Sequence, residues 1–204
     1  LNKKIKKFVQ VGSSIEYGKS RSPQIENKKN SQSTFSIYGK AKLLSTKYLM
    51  AIYKKEKFPT TVIRLYLVYG PKQDINRVIP ITIKNALLDK KFNCSSGLQF
   101  RDFIYIDDVI NAILKTLKNR KTNGEIINIG SNKPVRIKDL IIRICSLVGS
   151  GKPIFGKIKL RKDEIKSLYP NINKAHKILR WRPKISLNTG LKKTIKYYKN
   201  AKFN

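Results

Sequence analysis

Apolar and polar positions along this chain switch repeatedly between a period of two and a period near 3.6. Phe8 to Val11 is a short apolar run that ends in Gly12-Ser13-Ser14, as a buried strand does on entering a polar loop. Tyr17 to Thr34 is polar, carries Gly18 and Pro23 and reads as a loop; loops of that size between regular elements are often functional. Ser36 to about Lys55 takes helical spacing, with Leu43, Leu44, Tyr48, Leu49 and Ile52 recurring on one side. Thr60 to Val68 is rich in β-branched residues and predicts one buried strand, stopped at Gly70-Pro71. A short helix follows over Pro80 to Lys90, and a short extended segment over Phe100 to Ile106. Asp107 or Asp108 is expected to cap a helix running to about Lys118, since a carboxylate accepts hydrogen bonds from free backbone N–H groups. Gly124 to Gly130 predicts another strand. Val135 to Val148 predicts a strand entry and then a helix carrying Leu140, Ile141, Ile144 and Leu147. Ser150 to Gly156 reads as a Gly/Pro loop, Asn173 to Leu179 as a short helix and Leu187 to Tyr198 as a terminal one. No internal repeat is present. Helix alternating with strand predicts the α/β class with a parallel sheet.

With 204 residues, 40% of them hydrophobic, the chain suits one globular domain or one domain with a small appendage. The division expected is residues 1–150 as the main unit and 151–204 as a small C-terminal segment. Lys and Arg number 45 against 12 Asp and Glu, a net charge of +33. A balance of that size points toward nucleic acid or an acidic membrane surface. The basic residues are spread along the chain, however, and Ile and Asn are abundant with Lys, as the codon usage of an AT-rich genome produces. No nucleic-acid motif accompanies them, so a basic nucleic-acid-binding protein stands third among the readings and no specific nucleic-acid partner is expected. The field would still draw in anionic small molecules. Two widely separated cysteines, Cys94 and Cys145, suggest neither a disulfide framework nor a zinc site, and fit a reducing, cytoplasmic setting. The longest apolar stretch, Leu140 to Val148, is broken by Arg143 and is far shorter than the roughly 20 residues that span a bilayer. The single histidine, His176, sits among Lys and Ala and receives no role; no metal site is expected.

The candidate chemistry lies in Ser36-Ile37-Tyr38-Gly39-Lys40-Ala41-Lys42. Tyr38 and Lys42 are four apart at the start of the predicted helix, so both face one side. An ammonium beside a phenol favours the phenolate, and a phenol tuned toward neutrality can exchange a proton with a hydroxyl or carbonyl. Spacing alone does not establish this in a Lys-rich chain. Upstream, Ser13 and Ser14 stand at a strand end. Downstream come Arg64-Leu65-Tyr66-Leu67-Val68-Tyr69-Gly70-Pro71, Arg101-Asp102-Phe103-Ile104-Tyr105-Ile106-Asp107-Asp108-Val109, Asn128-Ile129-Gly130-Ser131 and Leu179-Arg180-Trp181-Arg182-Pro183-Lys184.

This ordered set resembles the extended short-chain dehydrogenase/reductases, the NAD-dependent epimerase/dehydratase group that modifies nucleotide sugars. The resemblance implies an NAD(P)-dependent epimerase or 4-keto reductase acting at a carbon of a nucleotide-linked sugar. It implies Ser13, Tyr38 and Lys42 as the catalytic set, with Tyr38, Lys42 and the aromatic Tyr66 beside the cofactor. Ser13 and Ser14 would touch the sugar, and Arg101, Arg161 and Glu164 would hold the nucleotide. Each has a plainer alternative: Ser13-Ser14 as a solvated turn, Tyr66 as a core aromatic, Arg101 paired with Asp102 at the surface, Arg161 to Glu164 as a solvated charge cluster. The acid that removes water in the 4,6-dehydratases falls where Ser14-Ile15 stand; Glu16 is one position late, where the side chain points elsewhere. The cysteine of the fucose-synthase relatives is absent at Ile15, and Leu67 replaces a common Asn.

The family binds its dinucleotide through Gly-x-x-Gly-x-x-Gly after the first strand. None of the 11 glycines forms that pattern. The chain also begins with Leu and enters a strand almost at once. The expectation is therefore an N-terminally truncated chain: the C-terminal part of a Rossmann-like parallel sheet with a small α+β substrate-binding appendage, using NAD or NADP but lacking the main cofactor motif. A non-catalytic nucleotide-sugar-binding module is the second reading that follows. A homodimer through a helix pair including the Tyr38–Lys42 helix is implied by the resemblance.

Overall fold

The computed structural model describes residues 5–26, 36–160 and 164–201. The apolar run at the start forms β1 (Phe8–Ser13), and the β-branched run forms β2 (Thr60–Leu65), paired parallel to it. The third member of this sheet, also parallel, is β7 (Glu125–Ile129). The register sets Ser13 against Leu65 and Leu65 against Ile129, so all three strands end along one carboxyl edge. That edge is where open α/β sheets hold their ligands.

Between β1 and β2 the chain forms α1 (Ile37–Glu56), entered through Ser36, whose hydroxyl accepts the Gly39 N–H at 3.0 Å and so satisfies one of the free donors of the first turn. α1 covers the sheet face that carries Gly12, Arg64 and Asn128, which lie in register across the three strands. The opposite face is covered by α3 (Ile106–Lys118) and α5 (Asn173–Leu179). There Ile63, Ile127 and Ile129 pack with Val109, Ala112, Ala175, Leu179 and Trp181. Each buried aliphatic side chain of this kind contributes about 1.5–3 kcal/mol. Trp181 is buried, with its indole N–H donating to the Asp108 carbonyl at 3.2 Å.

A second core joins α2 (Val78–Leu87), α4 (Ile137–Val148) and α6 (Leu187–Asn200) to the parallel pair β3 (Leu67–Tyr69) and β6 (Phe103–Tyr105). β4 (Lys91–Asn93) pairs with β9 (Lys152–Ile154), a strand inside the predicted Gly/Pro loop. β5 (Phe100–Arg101) lies between β8 (Val135–Arg136) and β10 (Ser167–Leu168).

Three expectations change. The run Thr60 to Val68 is not one strand. It breaks at Tyr66, whose N–H turns to the Ile129 carbonyl, and Leu67 leaves for the Asp102 carbonyl, carrying the chain from one sheet to another. Neither Asp107 nor Asp108 caps α3; the N-cap is Tyr105. The Asp108 carboxylate is buried and accepts the N–H groups of Lys184 and Ile185 at 2.9 Å each, while Asp107 reaches Lys193 at 3.6 Å. Finally, the fold is not a C-terminal remnant of a sheet with an appendage. A Rossmann-like parallel arrangement with flanking helices begins near the N-terminus, at Phe8, and runs through most of the chain.

Candidate active site

At the carboxyl end of β1, Ser13 caps a single 3-10 turn, Ser14–Tyr17. Its hydroxyl accepts the Ile15 N–H at 3.4 Å, and its own N–H donates to Glu16 Oε1 at 2.7 Å, a reciprocal capping box. Ser14, in the first position of the turn, is buried. Glu16 is 0% exposed. Its Oε2 accepts Thr46 Oγ1 from α1 at 2.8 Å and Arg64 Nε from β2 at 2.9 Å. The carboxylate that stands one residue late for elimination chemistry is thus turned into the protein.

Tyr38 and Lys42 occupy the first turns of α1. Lys42 Nζ donates to the Val11 carbonyl at 2.9 Å, which seats the helix against the end of β1 two residues before Ser13. The same ammonium lies 5.7 Å from the centre of the Tyr38 ring. Tyr38 is 58% exposed, so its phenol faces out from this corner.

Tyr66, at the break after β2, is buried, and its hydroxyl donates to Gln24 Oε1 at 2.8 Å. Burial pushes the Tyr66 phenol far above its usual range, with Tyr17 the next contributor. It belongs to a polar network under the carboxyl edge. The Asn128 amide donates to the Gln24 carbonyl at 2.9 Å, and the Asn128 N–H to Glu26 Oε1 at 2.8 Å. The Tyr17 hydroxyl donates to Asn128 Oδ1 at 2.8 Å, and the Arg64 guanidinium stacks 4.3 Å from the centre of the Tyr17 ring. Burial raises the pKa of Glu26, against the hydrogen bond from Asn128.

Arg101 and Glu164 meet: Arg101 Nη2 donates to Glu164 Oε1. The alternative partner, Asp102, turns away and accepts the Ser131 N–H at 2.7 Å and its hydroxyl at 2.9 Å. Burial pulls the Arg101 pKa down and Glu164 opposes that shift. Arg101 lines a cavity of about 350 Å³ with Leu67, Asn76, Thr82, Asn85 and Gln99, among others. Arg161 lies outside the described residues.

The structure therefore gathers Ser13, Ser14, Lys42 and Tyr38 at one corner, Tyr66 along the same edge, and Arg101, paired with Glu164, in the lining of the separate cavity. Sequence reasoning missed the supporting residues Gln24 and Glu26, and it offered Asp102 only as a partner for Arg101. Asn128, a lone polar residue in Ile-Ile-Asn-Ile, carried the one readable signal, since a polar side chain inside a buried strand needs a partner. Among the described residues no group of three or more His, Cys, Asp or Glu could hold a metal, and no helix is long and apolar enough to cross a membrane.

Residues 1–130 match the family model described as the NAD dependent epimerase/dehydratase family. The chain belongs to that family. It is 32% identical over 204 residues to the human dTDP-D-glucose 4,6-dehydratase, a match that covers 96% of this chain and 57% of that protein. Among solved structures, a UDP-glucuronic acid 4-epimerase from Bacillus cereus in complex with UDP-glucuronic acid and NAD matches with a TM-score of 0.87 at 32% identity, over 98% of this chain and 63% of that one. The dTDP-glucose 4,6-dehydratase of Bacillus anthracis in complex with NAD matches with a TM-score of 0.86 at 27% identity, over 95% of this chain and 62% of that one. The chain thus spans somewhat over half the length of these family members.

These matches correct two expectations drawn from the missing glycine pattern. The family match covers residues 1–130, and the two structures cover 95% and 98% of this chain, so nearly the whole chain, from its first strand on, takes the family's fold, and the expectation of a C-terminal remnant with an appendage is set aside. Both were solved with NAD, so nearly all of this chain superposes on NAD-bound family members, and the expectation of a missing cofactor site is likewise set aside.

Proposed function

We propose that this protein is an NAD(P)-dependent epimerase or 4-keto reductase acting on a sugar carbon of a nucleotide sugar, with Ser13, Tyr38 and Lys42 as the reacting set. The observation that carries the reading is the hydrogen bond from Lys42 Nζ to the Val11 carbonyl at 2.9 Å, which sets the Tyr38–Lys42 helix against the strand end bearing Ser13. The donor set suits a nicotinamide riboside: an ammonium for the ribose hydroxyls, a phenol beside it, and Tyr66 along the same edge. The cofactor, when bound, supplies and accepts the hydride. Ser13 holds the sugar oxygen. Tyr38 moves the proton on and off that oxygen, and Lys42 Nζ stands 5.7 Å from the centre of its ring.

Arg101 and the cavity beside it take the nucleotide diphosphate, for which a guanidinium offers a fork of donors. Glu16 supports epimerase or reductase over dehydratase, because its carboxylate is buried and already accepts three donors. The exposed apolar residues Ile37, Leu44 and Tyr48 on α1 support a homodimer through this helix.

The test is turnover of a panel of UDP- and dTDP-hexoses with NAD and NADPH by the parent and by Tyr38→Phe. The substitution keeps the ring and removes the proton carrier, so activity should fall on the order of 10²–10⁴-fold while the circular dichroism spectrum is unchanged. Full activity in Tyr38→Phe would falsify its assignment. Release of water from dTDP-glucose as the main reaction would overturn the choice against a dehydratase.

A further inference from the structure

The geometry points to Glu16 as the positioning residue of the site: one buried carboxylate that sets Ser13, the Tyr38–Lys42 helix face and β2 relative to one another. The inference rests on the functional reading above.

Its three donors come from the three elements that carry the site. Oε1 receives the Ser13 N–H at 2.7 Å, and Oε2 receives Thr46 Oγ1 at 2.8 Å and Arg64 Nε at 2.9 Å. Tyr38, Lys42 and Thr46 are spaced four apart on α1, so Thr46 continues the face that presents the phenol and the ammonium. Arg64 stands two residues before Tyr66 on β2. Neighbouring residues make room for this carboxylate. A Cβ on Gly12 would lie 2.5 Å from Glu16 Oε1, so the strand carries glycine where the oxygen sits. At 0% exposure no water competes for these bonds, and charge-assisted hydrogen bonds are strong and directional in such a setting. Glu16 does not touch the reacting atoms; it fixes the backbone of Ser13 and the helix of Tyr38 in one frame, which is what proximity catalysis demands.

Glu16→Met alone would leave Arg64 as a lone buried charge and could unfold the chain. The informative variant is Glu16→Met/Arg64→Met, which removes the charge pair together and leaves apolar side chains of similar size. Two quantities are read against the parent: amide hydrogen exchange at Ser13, and kcat and KM for whichever hexose of the UDP and dTDP panel turns over fastest. If Glu16 positions the site, the double variant still melts cooperatively, the Ser13 amide exchanges at least tenfold faster, and kcat falls roughly 10- to 100-fold while KM moves less than about threefold, because the cavity at Arg101 is untouched. Unchanged Ser13 exchange, or faster exchange with parental kcat, overturns the proposal. Tyr38→Phe is run in parallel. Full activity there removes the catalytic reading instead, and Ser13 exchange alone then decides whether Glu16 holds the strand end.

Discussion

Gly12 and Arg101 show how much a single side chain decides at this edge. Gly12 has no positive φ; it is glycine because Glu16 Oε1 and Val62 Cγ1 would lie 2.5 and 3.0 Å from an added Cβ. Gly12→Ala is therefore an overpacking change against a buried carboxylate. It should destabilise the protein by about 1–3 kcal/mol, measured as a shift in the denaturant midpoint, where a solvated position would tolerate it. Arg101 is paired with Glu164 and lines the cavity. Arg101→Ala should raise KM for the nucleotide sugar about 10- to 100-fold with little change in kcat, since hydrogen bonds to charged groups contribute about 1.5–3 kcal/mol and a diphosphate is held alike before and during the reaction. A fall in kcat with unchanged KM would move Arg101 out of substrate binding.

At the scale of elements, the start of β1 is fastened to the turn before β7 by one amine. Lys7 Nζ donates to the Asn119 carbonyl at 3.2 Å, to Thr122 Oγ1 at 2.6 Å and to Asn123 Oδ1 at 2.5 Å. Burial pulls its pKa from the usual 10.5 down to about 8. Between those values the unfolded chain binds the proton and the folded chain has largely released it, so the Lys7 term in stability rises as pH rises through roughly 8 to 10.5. Lys7→Met should flatten the slope of folding stability against pH in that window relative to the parent; an identical slope in both would show that Lys7 does not titrate differently on folding. The break between β2 and β3 belongs to this scale too. Period and β-branching describe Thr60 to Val68 as one strand. Only the competing acceptors, the carbonyls of Ile129 and Asp102, divert the backbone at Tyr66 and place that residue on the carboxyl edge.

For the whole molecule, the charge is the dominant fact. Only 12 Asp and Glu offset 45 Lys and Arg, and the buried Arg64 and Arg101 are paired with Glu16 and Glu164. The outer surface is strongly cationic, and like charges across it oppose the compact state. Raising NaCl from about 10 mM to about 0.5 M shortens the screening length severalfold and should raise Tm by a few degrees. A Tm that falls with salt would show that ion pairs outweigh the repulsion. The same field favours arrival of an anionic nucleotide sugar, so the apparent second-order rate of substrate binding should drop over that salt range.

Periodicity was enough to locate the helices and most strands of this chain, because burying an apolar face obliges a sequence to repeat at 2 or 3.6 residues. The candidate set Ser13, Tyr38 and Lys42 came from the resemblance of the ordered motifs to a family, with the four-residue spacing on α1 as local support. The partners of charged groups could not be read that way. Asp102, the plainer partner offered for Arg101, holds Ser131; Asp108, which with Asp107 was a candidate cap of α3, holds the segment at Lys184 and Ile185. Glu16 gathers donors 30 and 48 residues away. A buried carboxylate takes whichever donors the packed elements bring within 3 Å, and that choice is made between strands and helices distant in sequence. The missing glycine pattern misled for the same reason: it is one local signal, whereas the fold is set by the register of β1, β2 and β7. The sequence by itself determined most of the elements, the charge and the candidate set Ser13, Tyr38 and Lys42. The tertiary structure decided which carboxylate meets which donor, because those contacts exist only once the sheet has placed its carboxyl ends together.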